Sequence, residues 1–220
     1  MEIDLSIATE EKLSSCIGNR HRYTIGIPLE SEKAEQRVGL TPQAVSILVE
    51  AGHNVLVEHN AGLKSGFTNT EYINSGAFIV ENKEVFNAEI IFKIAPPTIE
   101  EIGKMRKQAI VFSIAFTRIQ PEEYFHLLIK KKITSIAYDN LRSKNGNLII
   151  MDTLCKIIGN ACPLIAGEYF SLANDGYIIG SFGGIPPTEI VFLGATKVAE
   201  TAAKIFLSMG TTPAVNVHMS

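Results

Sequence analysis

Apolar residues recur along this chain in two alternating rhythms: short unbroken runs bounded by turn residues, and stretches in which they return at helical spacing. The run Tyr23 to Ile27 predicts a first strand closed by Pro28. Thr41-Pro42 then reads as a helix start, Thr as N-cap and Pro at the first helical position, with Val45, Leu48 and Val49 as its buried face and Gly52 past its end. Asn54 to Glu58 is a second strand, so the chain begins with a strand–helix–strand unit that predicts a right-handed parallel crossover.

The rhythm continues. Thr68-x-x-Glu71 and Thr98-x-x-Glu101 are capping boxes, each opening a short helix. Strands are predicted at Phe78 to Val80, Ile90 to Ile94, Ala109 to Ile114 and Thr134 to Tyr138, and a further short helix at Glu84 to Ala88. Another helix starts at Pro121-Glu-Glu and ends at Lys130-Lys-Lys132, acids first and bases last, as the helix dipole favours. Such alternation predicts an open α/β sheet covered on both faces.

A polar stretch, Arg142 to Asn147, marks the expected domain boundary. Beyond it Asp152 or Thr153 should cap a long apolar helix reaching about Leu172, kinked or split by Pro163. Near the end Ile190 to Leu193, a break at Gly194, and Val198, Ala202, Ile205, Phe206 and Met209 at helical spacing form a strand–turn–helix, with a last strand near Ala214 to Val217. The expected fold class is therefore α/β with two open parallel-sheet, Rossmann-like domains, the second incomplete. Its parts are a leader (1–21) with a short amphipathic helix from Ile7 to Ile17, a first domain (22–145), a linking helix region (146–180) and the start of a nucleotide-binding domain (181–220).

The strand–turn–helix is where a parallel sheet can present helix N–H groups to a pyrophosphate. Set on the dinucleotide fingerprint, its positions are Gly194, Thr196 and Ala199, with Ala195 in the turn; only the first glycine is kept. The acid expected about 20 residues on falls near Val217 or His218, neither of them acidic. A βα unit that binds no nucleotide stays open as a reading.

Charged residues make up 20% of the chain and the net charge is −3, which offers no general attraction to nucleic acid or an anionic membrane. Three cysteines, Cys16, Cys155 and Cys162, lack metal-ligand spacing; they imply a reduced, cytoplasmic setting, with Cys155 and Cys162 as packing residues. No metal site is expected. No window is expected to approach the length of a membrane-spanning helix, and the acidic N-terminus does not read as a secretory signal.

From Tyr23 to Gly210 the chain resembles the alanine dehydrogenase and nicotinamide nucleotide transhydrogenase family. The resemblance is carried by Ile25-Gly-Ile-Pro-x-Glu30, Arg37-Val-x-Leu-Thr-Pro42, Ala51-Gly-His53, Glu58-x-x-Ala-Gly62, Ile90-Ile-Phe-Lys93 with Pro96, Thr134-x-Ile-Ala-Tyr138, Gly184-Ile-Pro-Pro-Thr-Glu189 and Leu193-Gly-Ala195. It implies a small-molecule substrate (alanine or pyruvate) and NAD, with NADP not excluded. Arg37 and Lys93 would hold the substrate's carboxylate and carbonyl oxygen, and Gly194, Ala195, Thr196 and Ala199 would face the cofactor. A homo-oligomer is implied too. The catalytic histidine that the resemblance implies at the end of the strand ending near Ala115 is Phe116 here, which can neither donate nor accept a proton. Three readings follow: an alanine dehydrogenase taking L-alanine, NAD and water to pyruvate, ammonia and NADH; a transhydrogenase-type nucleotide-binding domain; and a non-catalytic, small-carboxylate-binding remnant.

Overall fold

A computed structural model of the protein describes residues 21–216. The leader helix expected at Ile7 to Ile17, Cys16, Val217 and His218 lie outside the described residues. Eight strands and seven helices occur in the order β1 (Thr24–Ile27), α1 (Pro42–Glu50), β2 (Asn54–Glu58), α2 (Asn69–Asn74), β3 (Phe78–Val80), α3 (Asn82–Val85), β4 (Ile90–Phe92), α4 (Ile99–Lys104), β5 (Ile110–Ser113), α5 (Glu122–Lys131), β6 (Thr134–Ala137), α6 (Ile149–Ala173), β7 (Glu189–Leu193), α7 (Lys197–Ser208) and β8 (Thr212–Asn216). Short 3-10 turns follow β2 at Leu63–Ser65 and β6 at Tyr138–Asn140.

Strands β1 to β6 form one sheet in the order β3-β2-β1-β4-β5-β6. Parallel pairing places Ile25 beside Val55 and Ile90, and Phe92 beside Phe112, whose rings stack at 4.6 Å. Period-2 alternation divides the core between the two faces. Ile25, Ile27, Val55 and Val57 pack with Val45 of α1 and Tyr72 of α2, while Ile91 and Val111 pack with Val85 and Phe86. The helix starts are local chemistry. Thr41 accepts from Ala44 N, and Thr68 and Thr98 each close a full capping box with Glu71 and Glu101.

Close packing divides the chain into two units. The first takes in the residues up to Phe112 together with Gln120–Ser135; the second takes in Ser113–Ile119 and the chain from Ile136. The polar stretch Arg142 to Asn147 falls inside the second unit, where Arg142 bridges to Leu148. In that unit β7 and β8 pair in parallel, and Ile179, Ala202 and Phe206 gather Cys162, Ala166, Phe170, Ile190 and Phe192 around them. The opposite side of β7 is bare, with Val191 and Leu193 exposed.

The long helix departs from expectation in three ways. It begins at Ile149, with Leu148 as an N-cap that offers no side-chain hydrogen bond, rather than at Asp152 or Thr153. It also runs unsplit through Pro163, which is buried. Four residues back, Gly159 packs against α7 so closely that a Cβ there would sit 2.6 Å from Thr201 Cβ, so the helix is held against its neighbour across the proline. Finally, α6 is long and apolar enough to cross a membrane by length and composition, with mean hydropathy 1.5 over its best window, 11% of which is buried. That corrects the reading that no stretch reaches this length. Ile157, Leu164, Ile165 and Leu172 on the exposed side join the packed residues in one apolar span.

Candidate functional site

The sheet order places the topological switch between β1 and β4, since β2 and β3 extend to one side of β1 while β4 and β5 extend to the other. In open α/β sheets ligands bind outside the carboxyl ends of strands at such a switch. Here that place holds charged side chains. Glu30 follows β1 and Lys93 follows β4, and the two are 4% and 0% exposed. The Lys93 ammonium lies 3.2 Å from Glu30 Oε2 and donates to Glu101 Oε1 at 3.0 Å.

Each carboxylate has further donors. Ile94 N donates to Glu30 Oε1 at 2.6 Å and Ala95 N donates to Glu30 Oε2 at 3.3 Å. Thr98 N donates to Glu101 Oε2 at 2.7 Å, so the capping-box glutamate of α4 also holds Lys93. Burying three charges is costly unless each is paired and hydrogen-bonded, and this set meets that demand. Close by, the Tyr124 hydroxyl is buried without a hydrogen-bond partner. Burial, with the Glu101 charge adding to it, pushes that phenol up to about 12.

Arg37 stands on the loop after β1. Its Nε and Nη2 donate to Glu35 Oε1 and Oε2 at 2.8 and 2.7 Å, a bidentate fork that holds the Glu35 carboxyl below its usual range. Lys64 and Ser65 donate to the carbonyls of Glu35 and Gln36 and so fasten this loop. Gly39 lies so near β4 that a Cβ there would sit 2.5 Å from the Phe92 carbonyl oxygen. The Arg37 loop and the strand bearing Lys93 therefore meet at one end of the sheet, yet each cation is satisfied by carboxylates of its own neighbourhood. Lys93 was expected to offer a compact charge to a substrate oxygen. Its ammonium is enclosed, with Glu30 and Glu101 among its partners.

Two partners in this arrangement were not singled out from sequence. Glu30 was visible as the last residue of Ile25-Gly-Ile-Pro-x-Glu30 and Glu101 as a capping-box acid, but neither signal points to a lysine far along the chain.

In the second unit Gly194 has φ +112, the conformation a tight strand-to-helix turn requires. Thr196 is the N-cap of α7 and its Oγ1 accepts from Ala199 N at 3.2 Å. The hydroxyl thus occupies one of the N–H groups that a pyrophosphate would use, and Ala199 is buried at the helix base. Glu200, in the first turn, is paired to Lys197 and Lys204 at 2.8 Å each, and these lysines hold its carboxyl down at about 2. The turn at Gly194 to Thr196 fits a dinucleotide in outline, with a negative charge in the first turn that a phosphate must tolerate. Phe116, where the resemblance implies a histidine, has φ +43 and a half-exposed ring.

Comparison with known proteins gives the family and the fold. The family model described as Alanine dehydrogenase/PNT, N-terminal domain matches residues 26–158, more than half of the chain. An alanine dehydrogenase from Methanococcus maripaludis is 35% identical over 191 residues, covering 84% of this chain and 51% of that protein. One from Staphylococcus epidermidis is 31% identical over 189 residues, with the same coverage. The chain thus spans about half the length of these relatives. Among solved structures, an L-alanine dehydrogenase superposes with TM-score 0.77 at 29% identity, over 87% of this chain and 54% of that one. A transhydrogenase from Sinorhizobium meliloti shares the fold with TM-score 0.71 at 22% identity, over 87% of this chain and 58% of that one. This chain belongs to the alanine dehydrogenase/PNT N-terminal domain family.

Proposed function

We propose that this chain is the substrate-handling half of an alanine dehydrogenase-type oxidoreductase, taking L-alanine or pyruvate as its small carboxylate and NAD as its cofactor. The observation that carries the reading is the Arg37 fork at the switch-point end of the sheet, which already grips a carboxylate in the geometry a substrate's would take. On this reading the substrate carboxylate replaces Glu35 on Arg37, an exchange of like for like. Lys93, held by Glu30 and Glu101, shapes the site and would turn its ammonium to the substrate's carbonyl oxygen.

Gly194, Ala195, Thr196 and Ala199 are the residues that would hold NAD, which supplies the hydride acceptor when bound. No side chain at position 116 can move a proton, so deamination by this chain is slow or absent. That same observation favours a second reading, a transhydrogenase-type nucleotide-binding domain, because hydride exchange between nicotinamides needs no proton relay. The setting that goes with either reading is cytoplasmic and homo-oligomeric, without nucleic acid.

The test follows thermal stability with pyruvate, alanine and NADH, each added alone. A ligand at 100 times its dissociation constant adds about 2.7 kcal/mol. Pyruvate should stabilise the wild type but not Arg37→Gln. A response to NADH with no response to pyruvate would favour the transhydrogenase reading. No response to any of them leaves the non-catalytic reading.

A further inference from the structure

At the amino ends of β4 and β5, away from Arg37 and Lys93, the first unit gathers cations that the proposed function leaves unused. Helices α4 and α5 both finish there, at Lys104 and Lys131, so Lys104, Arg106, Lys107, Lys130, Lys131 and Lys132 are brought to one end of the sheet. The two helix ends are stitched to each other. Gln108 N donates to Lys131 O at 2.9 Å, and the Lys131 ammonium donates to the carbonyl of Gly103 and, at 2.6 Å, to that of Met105. Closing the end of α4 in this way accounts for Lys131. Burial, with the charge of Lys107 adding to it, lowers the Lys131 ammonium, which puts Lys107 close by.

The acids at this end are already engaged. Glu100 pairs with Lys104 at 2.8 Å, and Glu89 lies 3.6 Å from Arg106 Nη1 while its second oxygen accepts from Thr24 N at 2.9 Å. Lys107, Lys130 and Lys132 are exposed and make no ion pair among the described residues. The helix dipole explains a base in the last turn of α5, but Lys132 stands past that turn and Lys107 lies on no helix. The described chain also begins here. His21 Nε2 is 3.9 Å from the same Glu89 oxygen that Arg106 approaches, so residues 1–20 join the chain beside Arg106, the neighbour of Lys107. Those residues carry Glu2, Asp4, Glu10 and Glu11 against Lys12 and Arg20.

We propose that Lys107, Lys130 and Lys132 form the docking site of the chain's own acidic leader, residues 1–20, which meets them first through Glu10 and Glu11. The span from Glu11 to His21 reaches at most about 35 Å, enough to cross the ends of two packed helices whose axes lie about 10 Å apart. Exposed ion pairs are individually weak, but the tether makes the contact intramolecular, at an effective concentration of about the millimolar range. The net charge of −3 disfavours a polyanion such as nucleic acid as the occupant, whereas a tethered segment must only match the local charge. The proposal goes beyond the proposed function and uses none of its substrate-holding residues.

The experiment is zero-length carbodiimide coupling of the full chain, with ¹⁵N-labelled and unlabelled protein mixed and the products mapped by mass spectrometry. Amide links should join Glu10 or Glu11 to Lys107, Lys130 or Lys132 within one chain, and should fade as salt is raised to about 1 M, where screening is nearly complete. A second measurement follows lysine acetylation in a full-length variant carrying Glu2→Gln, Asp4→Asn, Glu10→Gln and Glu11→Gln, which alters no described residue. Lys107, Lys130 and Lys132 should react at least about threefold faster than in the wild type, the worth of one exposed ion pair, while Lys33 on the loop after β1 is unchanged. Links between labelled and unlabelled chains alone would give the patch to a second copy. Absence of links, or acetylation unaltered by neutralising the leader, would leave it to a partner outside the chain. Each of these results overturns the proposal.

Discussion

Lys93 donates to Glu101 at 3.0 Å with both side chains withdrawn from solvent, joining the end of β4 to the first turn of α4. Because Glu30 joins the same ammonium from the end of β1, one cation fastens three elements at the sheet's switch point. Removing it leaves two buried carboxylates facing each other.

Lys93→Met should therefore cost about 3–5 kcal/mol, the range for stripping one partner from a buried ion pair. Arg37→Gln, which breaks a pair whose arginine is 47% exposed, should cost about 1 kcal/mol or less. Urea denaturation of the two variants beside the wild type measures both. Equal costs would mean that Lys93 is not the keystone described.

Tyr72 and Tyr124 make a matched pair of buried phenols. Tyr72 donates its hydroxyl to Leu40 O at 2.8 Å, whereas the Tyr124 hydroxyl has no partner. Tyr72→Phe should cost about 1 kcal/mol, and Tyr124→Phe should be neutral or stabilising, since it removes a desolvated group that had gained nothing by burial. Chemical denaturation of the two single variants decides it.

The same phenols set the alkaline limit. Burial pushes both up to about 12, above the ordinary tyrosine value of 10.0. A folded-state value raised in this way adds stability that is complete below pH 10 and declines as pH rises from 10 towards 12, because the unfolded chain loses its protons first. Stability measured in steps across that window should fall, and should fall less in Tyr124→Phe. At the acid end Glu200, lowered to about 2 by Lys197 and Lys204, works the other way. Its contribution is present above pH 4.5 and is lost as pH drops through 2, which the carboxyl resonance of Glu200 would report.

Thr196 links helix stability to cofactor binding. Thr196→Ala removes the cap on α7 and should cost about 1 kcal/mol; Thr196→Gly should cost only a few tenths. The glycine variant also frees Ala199 N–H and bares the turn, so NADH should bind it more tightly than the wild type. Fluorescence titration with NADH checks the second effect. Weaker binding to Thr196→Gly would show that the turn does not hold the pyrophosphate.

Much of the fold was legible from short stretches because its signals act within a few residues. A threonine reaching three residues on, a proline at a first helical turn and an apolar run ended by glycine are local events, and β2, β3 and the two capping boxes stand where the pattern placed them. Gly194 was legible as a turn, whereas Thr196 was read as a fingerprint position and its role as the cap of α7 was not; Arg37 and Lys93 came forward through the family resemblance. Long-range pairing was not legible. Whether an ammonium meets a substrate or two glutamates depends on which strand lies beside β1, and no spacing along the chain encodes the nearness of Glu30 to Lys93. The unsplit α6 has the same origin: Pro163 reads as a place to kink or split until the packing of Gly159 against Thr201 of α7 is seen. Sequence alone settled which segments coil and which extend, because those preferences belong to neighbours in the chain. The assembled structure settled which charges neutralise one another, because burial and partner choice exist only once distant segments are packed together.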